Sequence, residues 1–197
     1  MANATGIILC GGKSVRFGKD KGMCYLGAQP MIQYSIDTLQ KIFKSIIISS
    51  NDKEYAKLGY LTVEDQIKDI GPIGGILAAL NISDTDDNMI ISCDMPLLTT
   101  ELIQYIFDNK GNSLAATPII DKFPEPLCSY FNKNAFPKIK TFISYGNYKM
   151  LKLLEFLDYK KIEIDKSLSF FNPDIFLNVN DQEQYEKALR ILKLIKN

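Results

Sequence analysis

Apolar residues along the chain fall in short unbroken runs that alternate with stretches of helical spacing. Gly6-Ile-Ile-Leu-Cys10, Ser45-Ile-Ile-Ile-Ser49 and Asn88-Met-Ile-Ile-Ser-Cys93 are the clearest runs, and Leu61–Asp65 is a shorter fourth. A strand apolar on consecutive residues must be covered on both faces, as in a parallel sheet. Between the runs, Pro30 opens a segment with Ile32, Ile36, Leu39 and Phe43 at helical spacing, and proline suits a first helical turn. Gly71-Pro72 breaks the chain before a small-residue helix over Ile73–Leu80. Thr99 or Thr100 can cap a helix with Leu102, Ile103, Ile106 and Phe107 on one face. The second half is less regular. It predicts strands at Leu114–Ile119, Leu127–Phe131 and Lys160–Asp165, a helix over Lys149–Leu157, and a last helix over Asp181–Leu194. This alternation predicts an α/β fold: a Rossmann-like three-layer sandwich, its mostly parallel twisted sheet covered by helices on both faces.

With 197 residues and no linker, repeat or low-complexity stretch, the chain reads as one domain. Residues 1–100 form a nucleotide-type half, and residues 101–197 complete the sheet and receive a second substrate. Twenty-three basic residues balance twenty-three acidic ones, so no overall charge calls for a nucleic acid or an anionic membrane. No apolar run approaches the length needed to span a bilayer, and the N-terminus lacks a secretion signal. The four cysteines form no C-x-x-C pair and sit mostly in or beside apolar runs, which predicts reduced, buried thiols and a cytoplasmic location. The chain has no histidine. That removes Ser-His-Asp and Cys-His catalysis and histidine metal sites together, and leaves carboxylates, amines, backbone amides and an oxygen-bound metal.

Chemistry concentrates after the first strand, in Gly11-Gly-Lys-Ser-Val-Arg-Phe-Gly-Lys-Asp-Lys-Gly22. Glycines there let backbone N–H groups face a phosphate, and Lys13, Arg16, Lys19 and Lys21 supply positive charge. The alternative is a glycine turn with solvated lysines. The loop is not a Walker A: Gly6 and Gly11 have the right spacing, but Gly12 stands where lysine is required. The dinucleotide motif G-x-G-x-x-G is absent too.

Asp94 follows an apolar strand in Ser-Cys-Asp-Met-Pro96. That is the strand end at which open α/β sheets bind ligands, and a carboxylate there suits Mg2+ that also touches phosphate oxygens. The competing reading is a turn before Pro96. Asp65 ends another strand and reads equally as a loop carboxylate, while Asn180 with Glu183 has the spacing of a helix cap with its reciprocal acid.

Taken together, Leu9–Lys21, Gly71-Pro-Ile-Gly-Gly75, Cys93-Asp-Met-Pro96, Pro126-Leu127 and Phe176-Leu-Asn-Val-Asn180 resemble the molybdenum cofactor guanylyltransferase (MobA) family, in the family's order and across nearly the whole chain. The resemblance implies transfer of GMP from Mg2+–GTP to the terminal phosphate of molybdopterin, with release of pyrophosphate. By position, Leu9, Cys10, Gly11 and Gly12 would line the nucleotide, and Arg16 and Lys21 would contact its phosphates. Ser49 and Asp65 would meet ribose or base, Asp94 would hold Mg2+, and Asn178 and Asn180 would face the acceptor. Arg16, Lys21 and Asp94 are thus the implied catalytic set. Cytidylyl relatives carry Ala-Ala-Gly where this chain has Cys10-Gly11-Gly12, so Gly11 favours guanine. Cys10 replaces the usual alanine, Phe17 the usual methionine, and Ser49 a position often held by asparagine. The resemblance also implies transient contacts with other molybdenum cofactor biosynthesis or delivery proteins. Two rival readings stand beside this one: a nucleotidyltransferase using CTP or a sugar-phosphate acceptor, and a non-catalytic nucleotide-binding protein.

Overall fold

A computed structural model of the chain describes residues 2–11 and 21–195. Its strands are β1 (Ala2–Leu9), β2 (Tyr25–Leu26), β3 (Gln29–Pro30), β4 (Phe43–Ser49), β5 (Leu61–Val63), β6 (Asp87–Ser92), β7 (Ala115–Ile120), β8 (Phe123–Pro124), β9 (Cys128–Asn132) and β10 (Lys160–Glu163). The helices are α1 (Met31–Leu39), α2 (Pro72–Ile82), α3 (Thr100–Asp108), α4 (Phe136–Ser144), α5 (Met150–Phe156) and α6 (Gln182–Ile195). The main sheet runs β10-β7-β9-β6-β1-β4-β5, with β8 attached to β7. Pairing is parallel except where β9 meets β6 and β7, and in the β7–β8 hairpin. The predicted mostly parallel sheet is present, with one reversed strand in its middle.

Alternate side chains of the central strands feed two different cores. Ile8, Ile46, Ile48, Met89 and Ile91 pack with α1 and α3 on one face, through Ile32, Ile36, Leu102 and Ile106. Ile7, Leu9, Ile47 and Ile90 pack with α2, α4 and α5 on the other, through Ile76, Leu80, Ile139 and Leu153. This is the physical reason the strands are continuously apolar: each step of two residues serves one layer, and both layers are dry. Each fully buried isoleucine contributes about 1.5–3 kcal/mol, so a charge at Ile8 or Ile90 would break the sandwich.

Two local expectations shift. Phe43 does not continue α1; the helix ends at Leu39, and Phe43 opens β4 opposite Ala2. Its helical spacing is coincidental. The ring is buried by the sheet and sits 5.4 Å from Phe107, edge to face. The last helix is capped by Asp181, not Asn180: the Gln184 N–H donates to Asp181 Oδ1 at 2.9 Å, and Gln184 Oε1 accepts from the Asn180 N–H at 2.6 Å. Helix α4 and the β2–β3 hairpin were not expected, although Pro137 in α4's first turn is an ordinary start signal.

Candidate active site

The strand order β5-β4-β1-β6 places β1 between two parallel neighbours reached in opposite directions along the sheet. Open α/β sheets bind ligands at such a reversal, beyond the carboxyl ends of the strands. Register puts Leu9 opposite both Ser49 and Ser92, so three strand ends finish in one row. Every sequence-predicted site residue that the structure describes lies at or just beyond this row or in the segment joined to it.

On the β4–β5 side, the Cys10 N–H donates to the Ser49 carbonyl at 2.8 Å, and Ser50 N–H to the Val63 carbonyl at 2.9 Å. Cys10 is buried in the core, so only its backbone faces the site. Gly11 is exposed, with φ +145°, a conformation side chains rarely adopt. Gly12 and Arg16 lie outside the described residues.

Asp65 stands two residues past β5 and is half-buried. Burial raises its carboxyl above the ordinary value, while hydrogen bonds from Asn51 and Ser49 pull the other way. Ser49 is 3% exposed and lies beneath this carboxylate, so it orients Asp65 from below. The asparagine missing from position 49 has a counterpart two residues later: Asn51 Oδ1 accepts from the Asp65 N–H at 3.0 Å. Sequence reasoning passed over Asn51, whose only signal is its place just past the end of β4.

The Gly71–Gly75 motif closes this end from behind. A Cβ on Gly75 would fall 2.6 Å from Ser49 Oγ, 3.3 Å from Leu9 Cδ2 and 3.4 Å from Asp65 Oδ1. A Cβ on Gly74 would lie 3.0 Å from the Ile67 carbonyl and 3.3 Å from Asp65 Oδ2. The two glycines let the first turn of α2 approach Leu9, Ser49 and Asp65 more closely than any other residue allows.

Asp94 sits in the turn after β6, half-buried, with Oδ1 accepting from the Ser92 hydroxyl at 2.6 Å. Its carbonyl accepts from the Val179 N–H at 2.8 Å, which fastens the Asn178–Asn180 segment to the Asp94 turn. Lys21 Nζ donates to Asn180 Oδ1 at 2.6 Å, across 159 residues of chain. Asn178 is half-buried and Asn180 exposed. Gly22 is buried beside Lys21; a Cβ there would overlap the Tyr55 hydroxyl and lie 3.0 Å from Cys93 Sγ. Leu127 is tied in as well, its carbonyl accepting from the Ser92 N–H at 2.9 Å.

Among the described residues no group of three or more Asp, Glu or Cys forms a metal cage. A single carboxylate with one oxygen held by a hydroxyl matches the way Mg2+ is bound with substrate phosphates. Asp94 therefore fits Mg2+ of that kind.

Comparison with known proteins identifies the family. A family model described as a MobA-like NTP transferase domain matches residues 6–162. The chain belongs to the MobA-like NTP transferase family. It is similar along nearly its whole length to a probable molybdenum cofactor guanylyltransferase from Flavobacterium johnsoniae, with 33% identity over 93% of this chain and 95% of that one. A solved structure of molybdopterin-guanine dinucleotide biosynthesis protein A from Archaeoglobus fulgidus superposes with a TM-score of 0.81 at 24% identity, covering 96% of this chain and 99% of that one. A cytidylyltransferase from Thermus thermophilus also superposes, with a TM-score of 0.72 at 9% identity over 95% and 98% of the two chains. The MobA-like fold is thus shared with proteins named for another nucleotide, and the fold alone does not select the base. The matched stretch stops before Asn178 and Asn180. No helix among the described residues is long and apolar enough to cross a membrane.

Proposed function

We propose that the chain transfers GMP from GTP to the terminal phosphate of molybdopterin, making molybdopterin guanine dinucleotide and releasing pyrophosphate. One observation carries this reading: Lys21, Asp94 and the Asn178–Asn180 segment, remote in sequence, are hydrogen-bonded together beyond the ends of β1 and β6. The similarity to guanylyltransferases over both halves of the chain supports the same substrates. The functional division falls near residue 100, with the nucleotide end built from β1, β4, β5 and α2, and Asn178 and Asn180 on the acceptor side.

In this reaction an oxygen of the acceptor phosphate attacks the α-phosphorus of GTP. A new P–O bond forms, the bond from the α-phosphorus to its bridging oxygen breaks, and that oxygen leaves on pyrophosphate with its electron pair. The nucleophile is already an anion, so no general base is needed, in keeping with a chain that has no histidine. What the protein supplies is alignment and charge. Leu9 and Cys10, whose backbone is held in the sheet at the end of β1, line the nucleotide together with Gly11 and Gly12, the two glycines offering their backbone N–H groups. Asp65, steadied by Ser49 and Asn51, accepts hydrogen bonds from ribose hydroxyls or the N–H edge of guanine. Lys21 and Arg16 hold the phosphates and the departing pyrophosphate. Lys21 spends one of its three protons on Asn180, which fixes the ammonium against the acceptor side. Asp94 would hold Mg2+, which supplies charge neutralisation on the phosphate oxygens. Four free cysteines suit the reducing cytoplasm, where the reactive acceptor is passed to and from other proteins of molybdenum cofactor biosynthesis.

The test is incubation with Mg2+, molybdopterin and each nucleotide in turn, following pyrophosphate. GTP supports release and CTP does not; equal rates would remove the base assignment, and none with any nucleotide would remove the function. Thermal shift reads binding separately, since a ligand at 100 times its Kd adds about 2.7 kcal/mol.

A further inference from the structure

Beside the Lys21–Asn180 contact lies a pocket of about 480 Å3 that shares no lining residue with the Leu9–Ser49–Asp65 end. Two distant stretches of chain build it, residues 21–31 and residues 179–185. Its floor is dry. Met31 and Val179 are 3% and 5% exposed and belong to the small core that seats α6 against the hairpin. Met23, Tyr25 and Tyr185 supply further apolar and aromatic surface, and Tyr25 keeps 64% of its surface in solvent. An exposed aromatic at the rim of an apolar cavity contributes little to folding and is free to meet a ligand. Lys21 and Asn180, hydrogen-bonded to each other, border the pocket with Asp181 and Gln182; the Asp181 carboxylate is engaged in capping α6, which leaves the Lys21 ammonium as the cation facing it.

That distribution selects a ligand. Its body must be flat and polarisable, to lie against tyrosine rings and methionine sulfurs. One end must carry negative charge for the Lys21 ammonium. The volume lies in the range of about 300–1,000 Å3 typical of small-molecule sites. The nucleotide does not fill it, because the groups suited to ribose and base stand on the β4–β5 side. Val179 supplies the link to chemistry: it forms part of the floor and donates its N–H to the Asp94 carbonyl. A ring seated on Val179 would hold a phosphate at Lys21, next to the Asp94 turn.

We propose that this pocket is the subsite for the fused heterocycle of the phosphorylated acceptor, with Tyr25 and Tyr185 as its specificity-determining aromatic contacts. The proposal rests on the guanylyl-transfer reading and adds the part of the acceptor that reading leaves unplaced. It assigns residues 21–31, in the first half of the chain, to acceptor recognition.

The experiment compares the wild-type chain with Tyr25→Ala, Tyr185→Ala and Tyr25→Phe. Initial rates of pyrophosphate release give KM for molybdopterin and for GTP. Separately, a fluorescent oxidised pterin carrying a phosphate is titrated into each protein without nucleotide; the chain has no tryptophan, so the protein's own emission is weak. Each alanine variant raises the molybdopterin KM by about two- to tenfold, the value of one aromatic contact, and weakens pterin phosphate binding in parallel. GTP KM stays within about twofold and Tyr25→Phe behaves as wild type. If wild type turns over but neither alanine variant changes the molybdopterin KM or pterin binding, the pocket is overturned and the function stands. If wild type fails to turn over molybdopterin with GTP, the function is overturned and the titration decides the pocket alone. Pterin binding lost in the alanine variants sustains it; equal binding, or none to wild type, overturns it.

Discussion

At the nucleotide end, Leu9, Ser49 and Asp65 crowd against the place where Gly75 has no side chain, whereas at the acceptor end Lys21 meets Asn180 through an exposed hydrogen bond beside an open pocket. The first arrangement is made of buried and half-buried groups with tolerances of a few tenths of an ångström. There, fold and binding share the same contacts, so a change that disturbs one disturbs the other. The second is made of side chains that reach over the surface from opposite ends of the sequence. An exposed pair of this kind contributes at most about 1 kcal/mol to stability. Its value lies in where it holds the ammonium. The nucleotide end should therefore respond to substitution as core does, and the acceptor end as a site does.

Asp94 lies where the two ends meet, and the largest effect is expected there. Asp94→Asn keeps the shape and can still accept from Ser92, but gives up the charge that would hold Mg2+. Pyrophosphate release should fall by about a hundred- to a thousandfold, as when one charge-stabilising group is lost, with the melting temperature nearly unchanged. Turnover and metal dependence at the wild-type level would show that the carboxylate is only a turn residue before Pro96.

Gly75→Ala and Asn180→Ala set the two ends against each other directly. The alanine methyl at position 75 must displace Ser49 Oγ and Leu9 Cδ2. Overpacking of this kind costs about 1–3 kcal/mol, and each kilocalorie lowers the melting temperature by about 2–4 °C in a chain of this size. GTP affinity should fall with it, because the displaced Ser49 orients Asp65. Asn180→Ala should leave the melting temperature within about 1 °C, as an exposed contact implies, and should raise KM for molybdopterin while sparing GTP binding. Melting curves with and without GTP separate the outcomes. If Gly75→Ala melts like wild type, the close approach of α2 is not structural; if Asn180→Ala loses GTP binding, the two ends are not separate.

What the sequence revealed follows the same division. The strands, the glycine loop, Asp94 and the helix after Gly71-Pro72 are local features: consecutive apolar residues, a turn chemistry, a carboxylate at a strand end. The packing of Gly75 on Ser49 and Asp65 was not legible, since it needs β4, β5 and α2 brought together. Asn51 shows why. On its own it is one more polar loop residue, and it becomes part of the site only when the chain returns 14 residues later with Asp65. The pocket at Tyr25 was hidden for the same reason, its other wall being about 150 residues away. Asn180 was legible as a position but ambiguous in role; the structure gives the cap to Asp181 and leaves the Asn180 side-chain Oδ1 accepting from Lys21.

The smallest effect, and the sharpest probe of the nucleotide end, is the cost of keeping Asp65 charged. Burial raises its carboxyl above the ordinary value of 3.8, and hydrogen bonds from Asn51 and Ser49 only partly offset this. The folded chain then holds the Asp65 proton more tightly than the unfolded chain. Stability from this group is complete below the ordinary carboxylate value and is lost as pH rises through the raised one. At neutral pH the fold therefore carries an ionised Asp65 at a penalty. Glu125, also raised by burial, contributes a slope of the same sign, so the comparison must be made against Asp65→Asn in the same buffers. The variant should flatten the loss of melting temperature above pH 3.8. It should also melt slightly higher than wild type at pH 7 while binding GTP more weakly. Proteins keep a destabilising charge where a ligand repays it. A variant that lost stability at neutral pH and kept GTP affinity would make Asp65 a structural carboxylate and move the base and ribose contacts elsewhere.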